Sequence, residues 1–149
     1  MSGLVPVLRW PLKEPESLPE LHTYQYLTLW AKMCQLAQLT GTETVLDIGT
    51  GSGYQAAILS LLVKQVFTIE IIEDLATEAK IKLKKLGYTN VEVIYGDGQQ
   101  GLEKHAPYDL IKSAAATKEI PQAWKDQLQT GGKIILPLIT QRGQELVKI

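Results

Sequence analysis

The sequence predicts an α/β fold, a mostly parallel sheet with helices on both faces. Two observations carry this. Short apolar runs of strand length alternate with segments of helical period along nearly the whole chain. A glycine-rich turn and several acids then fall at the carboxyl ends of those runs, where open parallel sheets bind ligands. Right-handed crossovers join such units. At 149 residues the chain suits one domain with a substantial core.

Residues 1–22 read as a proline-rich arm and 23–149 as the domain. Pro6, Pro11, Pro15 and Pro19 exclude a regular helix or a central strand there. Val5, Val7, Leu8 and Trp10 are too apolar for a free tail, so an extended arm lying on the domain or on a partner is expected. Tyr24 to Leu39 is helical: Leu27, Trp30, Ala31 and Cys34 follow a three-to-four spacing, and Thr40-Gly41-Thr42 ends it. Val45–Ile48 is the first central strand. The helix after the glycines runs from Gly53 to Val63, and Val66–Glu70 is the second strand. Glu73 to Leu86 is amphipathic, with Leu75, Ala76, Ala79, Leu83 and Leu86 on one side and lysines elsewhere. Strands follow at Val91–Tyr95 and Tyr108–Ser113. A helix spans Glu119 to Gln129 and stops near Gly131-Gly132. A fifth strand covers Lys133–Ile139, and Gln144–Ile149 begins a sixth.

Composition narrows the function. Hydrophobic residues at 45% and charged residues at 21% are ordinary for a globular domain. A net charge of −1 makes no case for nucleic acid or a membrane surface. The single cysteine, Cys34, excludes an intramolecular disulfide, fits a reducing cytoplasm, and reads as core. His22 and His105 are far apart with no Cys/His cluster, so no metal site is expected. No apolar run has the length of a membrane span, and the N-terminus lacks a signal-peptide layout. A cytoplasmic location is expected.

The stretch from Val45 to Ala57 runs from strand through Gly49, Gly51 and Gly53 into helix. Glycines let a ligand approach bare backbone, and the helix start favours a polar or negative ligand group. A P-loop needs a Lys-Ser/Thr pair that this turn lacks. A dinucleotide turn needs G-x-G-x-x-G, but the spacing here is G-x-G-x-G and Tyr54 takes the third glycine's place, leaving NAD or FAD a minority reading. S-adenosyl-L-methionine carries a ribose with free hydroxyls and no phosphate. Glu70, ending the second strand, suits those hydroxyls, as the acid roughly 20 residues after the glycines does in dinucleotide sites. Asp97, ending the third strand, can accept from the adenine amino group. Asp47 can orient the turn or meet the cofactor's amino end.

The residues V-L-D-I-G-T-G-S-G-Y-Q-A-A at 45–57 resemble the first motif of the protein-L-isoaspartate (D-aspartate) O-methyltransferases. Matches continue at Thr68-Ile69-Glu70, Leu86-Gly87-Tyr88, Asn90-Val91, Gly96-Asp97-Gly98, His105 to Asp109, Ala115-Ala116, Glu119-Ile120-Pro121 and Gly131-Gly132-Lys133. The resemblance covers about residues 40–149. It implies a Rossmann-like S-adenosylmethionine-dependent methyltransferase fold. It also implies a cofactor site of Asp47, Gly49, Thr50, Gly51, Ser52, Gly53, Glu70, Ile71, Asp97 and Gly98. The implied activity is methyl transfer to the carboxylate of isoaspartyl residues in damaged peptides and proteins, a repair step. A carboxylate with a pKa of about 4 is already anionic at neutral pH, so no general base is required.

The departures lie on the acceptor side. Where the family carries a Thr-Ile-Ser-Gln/Ala-Pro-like motif, this chain has Thr23-Tyr24-Gln25-Tyr26-Leu27, so Thr23 and Gln25 are the candidate catalytic residues. The chain reads as a short, divergent member lacking the family's N-terminal segment and C-terminal hairpin. That leaves a sheet edge expected to be uncovered, a route to a homo-oligomer. Lys112 and Ser113 stand where the family has apolar residues, and a lysine inside a central strand is costly unless its ammonium finds water or a partner. A methyltransferase of another substrate and an inactive cofactor-binding module remain open as alternatives.

Overall fold

A computed structural model describes residues 5–10, 31–113, 115–141 and 143–149; of 5–10 and 143–146 the backbone alone is described. The strands are β1 (Val5–Trp10), β2 (Thr44–Ile48), β3 (Gln65–Glu70), β4 (Val91–Tyr95), β5 (Tyr108–Ser113), β6 (Leu128–Thr140) and β7 (Gly143–Lys148). The helices are α1 (31–37), α2 (Tyr54–Ser60), α3 (Glu73–Lys85) and α4 (Gln122–Asp126). One sheet takes the order β1-β7-β6-β5-β2-β3-β4. β2, β3, β4, β5 and β6 are parallel, and β7 runs antiparallel to both β6 and β1.

The alternation of side chains across a strand explains the two layers of core. Val45, Val66, Leu110 and Ile135 point to the face covered by α1 and α2, where they meet Met33, Ala37, Ala56 and Leu59. α3 lays Ala76, Ala79 and Leu83 on Ala57 and Val93. Leu46, Phe67, Ile111, Ile134 and Leu136 point to the opposite face, where Trp124 of α4 and Tyr108 complete the packing. Strands buried on both faces must be apolar nearly throughout, which is why they appear as continuous runs.

Several expectations are corrected. The strand expected over Lys133–Ile139 is longer, Leu128–Thr140. The helix expected over Glu119–Gln129 is only Gln122–Asp126. Pro121 stands at its N-cap, Leu128 and Gln129 belong to β6, and the Gln127 carbonyl accepts from the Tyr108 N–H. Backbone groups committed to β6 cannot also close helical turns. The helix expected to reach Val63 ends at Ser60, because the Leu61 and Leu62 N–H groups bond three residues back in tighter turns. The expected sixth strand is β7, antiparallel to β6, and β1, in the proline-rich arm, pairs with β7. The edge expected to be uncovered is therefore paired by the chain's own arm.

Candidate functional site

The order of strands reverses at β2. β3 and β4 lie on one side of it, β5 and β6 on the other. At such a reversal consecutive crossovers leave on opposite faces and open a crevice above the carboxyl ends. The turn after β2, Glu70 at the end of β3 and Asp97 after β4 fall one after another at the carboxyl ends of adjacent strands in register.

Gly49 and Gly51 hold φ of +94° and +54°, a region that side-chain-bearing residues rarely enter. A Cβ at either would meet nothing within 4 Å. Backbone geometry and not crowding requires glycine there, and the space in front stays open. Gly53 differs: its Cβ would press on Leu83 of α3 at 3.3 Å.

The turn spends its donors internally. The N–H groups of Gly49 and Thr50 both go to the Ile69 carbonyl, at 2.8 and 3.2 Å, and Gly53 donates to the Thr50 carbonyl. Gly51 donates to Glu70 Oε1 at 2.9 Å, and Ile72 donates to Glu70 Oε2 at 3.2 Å. Glu70, only 7% exposed, is thus a strut between the turn and the segment after β3. Each carboxylate oxygen keeps a further lone pair for a ligand. Ile71 and Ile72 beside it are exposed apolar residues, and Ser52 is exposed at the turn's tip.

Asp47 and Thr50 point inward. Asp47 is fully buried, and its Oδ2 accepts from the Thr68 hydroxyl at 3.0 Å. Thr68 and Thr50 share a hydroxyl contact of 2.7 Å. The registered partner of Asp47 on β5 is Lys112, 1% exposed, whose Nζ lies 3.8 Å from Asp47 Oδ1 and 3.4 Å from Gln55 Oε1. Burial pushes the Asp47 carboxyl up; the Lys112 charge and the Thr68 bond oppose that. The lysine that looked misplaced in a central strand therefore has an acid and an amide as neighbours. Two strands in register brought them together, a relation that sequence distance hides.

Asp97 is exposed and caps its own turn, accepting from the Gln99 N–H at 3.0 Å. Gly98 is buried, and a Cβ there would lie 2.5 Å from Ile48 Cγ2. Two residues at this turn carried no sequence signal of their own. Trp124 donates its indole N–H to the Gly98 carbonyl at 2.7 Å. Gln127 holds the backbone of Gln100 and Leu102.

Thr23, Gln25 and His22 lie outside the described residues. His105 stacks on Phe67 with ring centroids 4.1 Å apart and is 3.9 Å from Glu92. Cys34 is half-buried on α1, and burial raises its thiol pKa, which argues against a thiolate nucleophile. Among the described residues no three His, Cys, Asp or Glu side chains cluster as a metal site. Among them, too, no helix is long and apolar enough to cross a membrane.

The reversal at β2, the crevice above it and the glycine turn with its acids define a Rossmann-like domain of the methyltransferase type. A family model described as protein-L-isoaspartate(D-aspartate) O-methyltransferase matches residues 14–149. The chain belongs to that family. A protein-L-isoaspartate O-methyltransferase of Helicobacter pylori (strain J99) is 48% identical over 118 residues, 79% of this chain and 56% of the relative. A protein-L-isoaspartate O-methyltransferase 2 of Shewanella sediminis is 48% identical over 124 residues, 83% of this chain and 51% of the relative. A solved protein-L-isoaspartate O-methyltransferase superposes with a TM-score of 0.76 at 27% identity, covering 89% of this chain and 48% of that one. A precorrin-6y C5,15-methyltransferase from Geobacter metallireducens shares the fold, with a TM-score of 0.64 at 23% identity over 75% of this chain and 62% of its own. The chain spans about half the length of the curated relatives named here.

Proposed function

We propose that this chain binds S-adenosyl-L-methionine and transfers its methyl group to the carboxylate of L-isoaspartyl or D-aspartyl residues in damaged proteins, a repair step in the cytoplasm. What supports the cofactor is the way the turn uses its donors. Gly49, Thr50, Gly51 and Gly53 direct their N–H groups to Ile69, Glu70 and Thr50. A phosphate would need such donors; ribose hydroxyls and the adenine amino group can donate, and Glu70 and Asp97 are acceptors. The residues present fit a phosphate-free adenosine ligand.

In this reading Glu70 takes the ribose hydroxyls on the lone pairs left by Gly51 and Ile72. Asp97 would accept from the adenine amino group, and Gly98 would adjoin that contact. Ile71 supplies apolar surface to the base. Gly49, Gly51, Ser52 and Gly53 form the turn against which the ligand lies. Asp47 and Thr50, tied through Thr68, keep that turn in shape from below. The bound cofactor supplies an electrophilic sulfonium methyl group. Because the acceptor carboxylate is already an anion, the protein's task is alignment and shielding, worth roughly 7–11 kcal/mol in well-oriented systems. Thr23 and Gln25 are assigned to the acceptor side.

Calorimetry with S-adenosylhomocysteine tests the cofactor, and radiolabelled methyl transfer to an isoaspartyl peptide, against its aspartyl twin, tests the acceptor. Binding with transfer to the isoaspartyl peptide alone is expected. Intact binding with no transfer to either would overturn the assigned acceptor. No binding at millimolar ligand would overturn the cofactor.

A further inference from the structure

We propose that Trp124 and Gln127 are positioning residues that make the site selective for a 6-aminopurine; this rests on the cofactor reading above. Both belong to the α4 region, on the sheet face away from α1 and α2, and both are buried. They hold the turn that carries Asp97.

Three hydrogen bonds make the hold. The Trp124 indole N–H donates to the Gly98 carbonyl at 2.7 Å. The Gln127 carboxamide binds the turn in two directions, donating from Nε2 to the Gln100 carbonyl at 3.0 Å and accepting the Leu102 N–H on Oε1 at 2.8 Å. Between those contacts lies Gly101, with φ +65°. A Cβ there would sit 2.7 Å from Gln127 Cδ, so the carboxamide occupies the space that any side chain at 101 would need. The Tyr108 hydroxyl adds a bond to the Leu102 carbonyl.

The consequence reaches Asp97 through the backbone. The Gln99 N–H fixes Asp97 Oδ1, and the Gln100 N–H bonds the Asp97 carbonyl. Gly98, Gln100 and Leu102 are all tied to buried side chains, which anchors the turn. An exposed carboxylate on a free loop would sample many directions and discriminate weakly. One on an anchored turn meets an exocyclic amino group at a fixed place. Discrimination by a hydrogen bond depends on such pre-organisation, because an analogue that lacks the donor then leaves the acceptor unpaired.

The test is calorimetry on the full chain with two ligands, S-adenosylhomocysteine and its analogue with hydrogen in place of the 6-amino group. Wild type should prefer the amino ligand. Gln127→Met should weaken S-adenosylhomocysteine about tenfold and the analogue less than twofold, so that the preference collapses. Trp124→Phe, which keeps the ring packing and removes the N–H, should act in the same direction and decides the matter if Gln127→Met does not fold. Gln127→Glu keeps the acceptor for Leu102 and should fall between wild type and Gln127→Met. Equal losses for both ligands would mean that these residues only stabilise the domain, which overturns the proposal. An unchanged preference overturns it as well. Failure of wild type to bind S-adenosylhomocysteine would instead overturn the cofactor reading.

Discussion

In Glu70→Gln one carboxylate oxygen becomes an amide nitrogen. The carboxylate now accepts from Gly51 at 2.9 Å and from Ile72 at 3.2 Å, while 7% exposed. Glutamine can serve one of those N–H groups; the other faces an NH₂ that cannot accept. A hydrogen bond to a charged group contributes about 1.5–3 kcal/mol. Losing one should lower the unfolding free energy by about 2 kcal/mol, a fall of roughly 4–8 °C in Tm for a chain of this size. The ligand should lose more than a generic destabilisation implies. A ribose diol offers two O–H donors, and the amide leaves one oxygen for them and for the backbone. Affinity for S-adenosylhomocysteine should fall roughly ten- to a hundredfold, at 1.4 kcal/mol per factor of ten. Urea unfolding and calorimetry on the same preparations measure both. A stability loss with affinity within twofold of wild type would make Glu70 a strut alone and would refute its ribose role. If neither quantity moves, the two backbone bonds contribute nothing and the reasoning fails at its first step.

Other outcomes follow from neighbouring contacts. Lys112→Met leaves the buried Asp47 carboxylate without its nearby cation and should cost about 3 kcal/mol at pH 8. Asp47 has a raised folded pKa, so its contribution is fully present below the unfolded carboxylate range and is lost as pH rises through the folded value. Removing Lys112 raises that value further, so the deficit should shrink as pH falls toward 4; urea unfolding across pH checks this, and a deficit independent of pH would contradict it. Gly98→Ala forces a Cβ to within 2.5 Å of Ile48 Cγ2 and should cost about 1–3 kcal/mol while weakening S-adenosylhomocysteine. Ile48→Ala in the same chain should restore part of the affinity, and no recovery would place the strain elsewhere. Thr68→Val, nearly isosteric, removes the donor to Asp47 and the contact with Thr50, and should cost about 1–3 kcal/mol by thermal unfolding. Methyl transfer to an isoaspartyl peptide should keep kcat/KM level between pH 6 and 8, since the acceptor is ionised throughout; a rise with a slope of one would demand a general base.

Much of the domain was legible because parallel strands buried on both faces must be apolar. β5 falls on the expected residues, and β2 and β3 within one residue; β4, at the sheet edge with only Val93 buried, and α3, by its amphipathic period, were also placed within one residue. The acids at strand ends were legible for a related reason: a polar residue closing a buried run has only the carboxyl edge as its outlet. The ends of α2 and α4 were not legible, since they depend on competition for backbone hydrogen bonds. The Gln127 carbonyl accepts from the Tyr108 N–H, and nothing near residue 127 announces that partner.

What the sequence by itself determined is the alternation of elements, the glycine turn, and the acids beside it, because each follows from local geometry or periodicity. Tertiary structure alone decided three things. Lys112 lies against Asp47, because β2 and β5 are adjacent and in register. Glu70 is a strut for the turn as well as a candidate ligand residue. Trp124 and Gln127 grip the Asp97 turn from about 25 residues away, with hydrogen bonds that only the packed sheet brings within reach. Such contacts pair groups far apart in the chain, and no local pattern of residue types encodes which of them will meet.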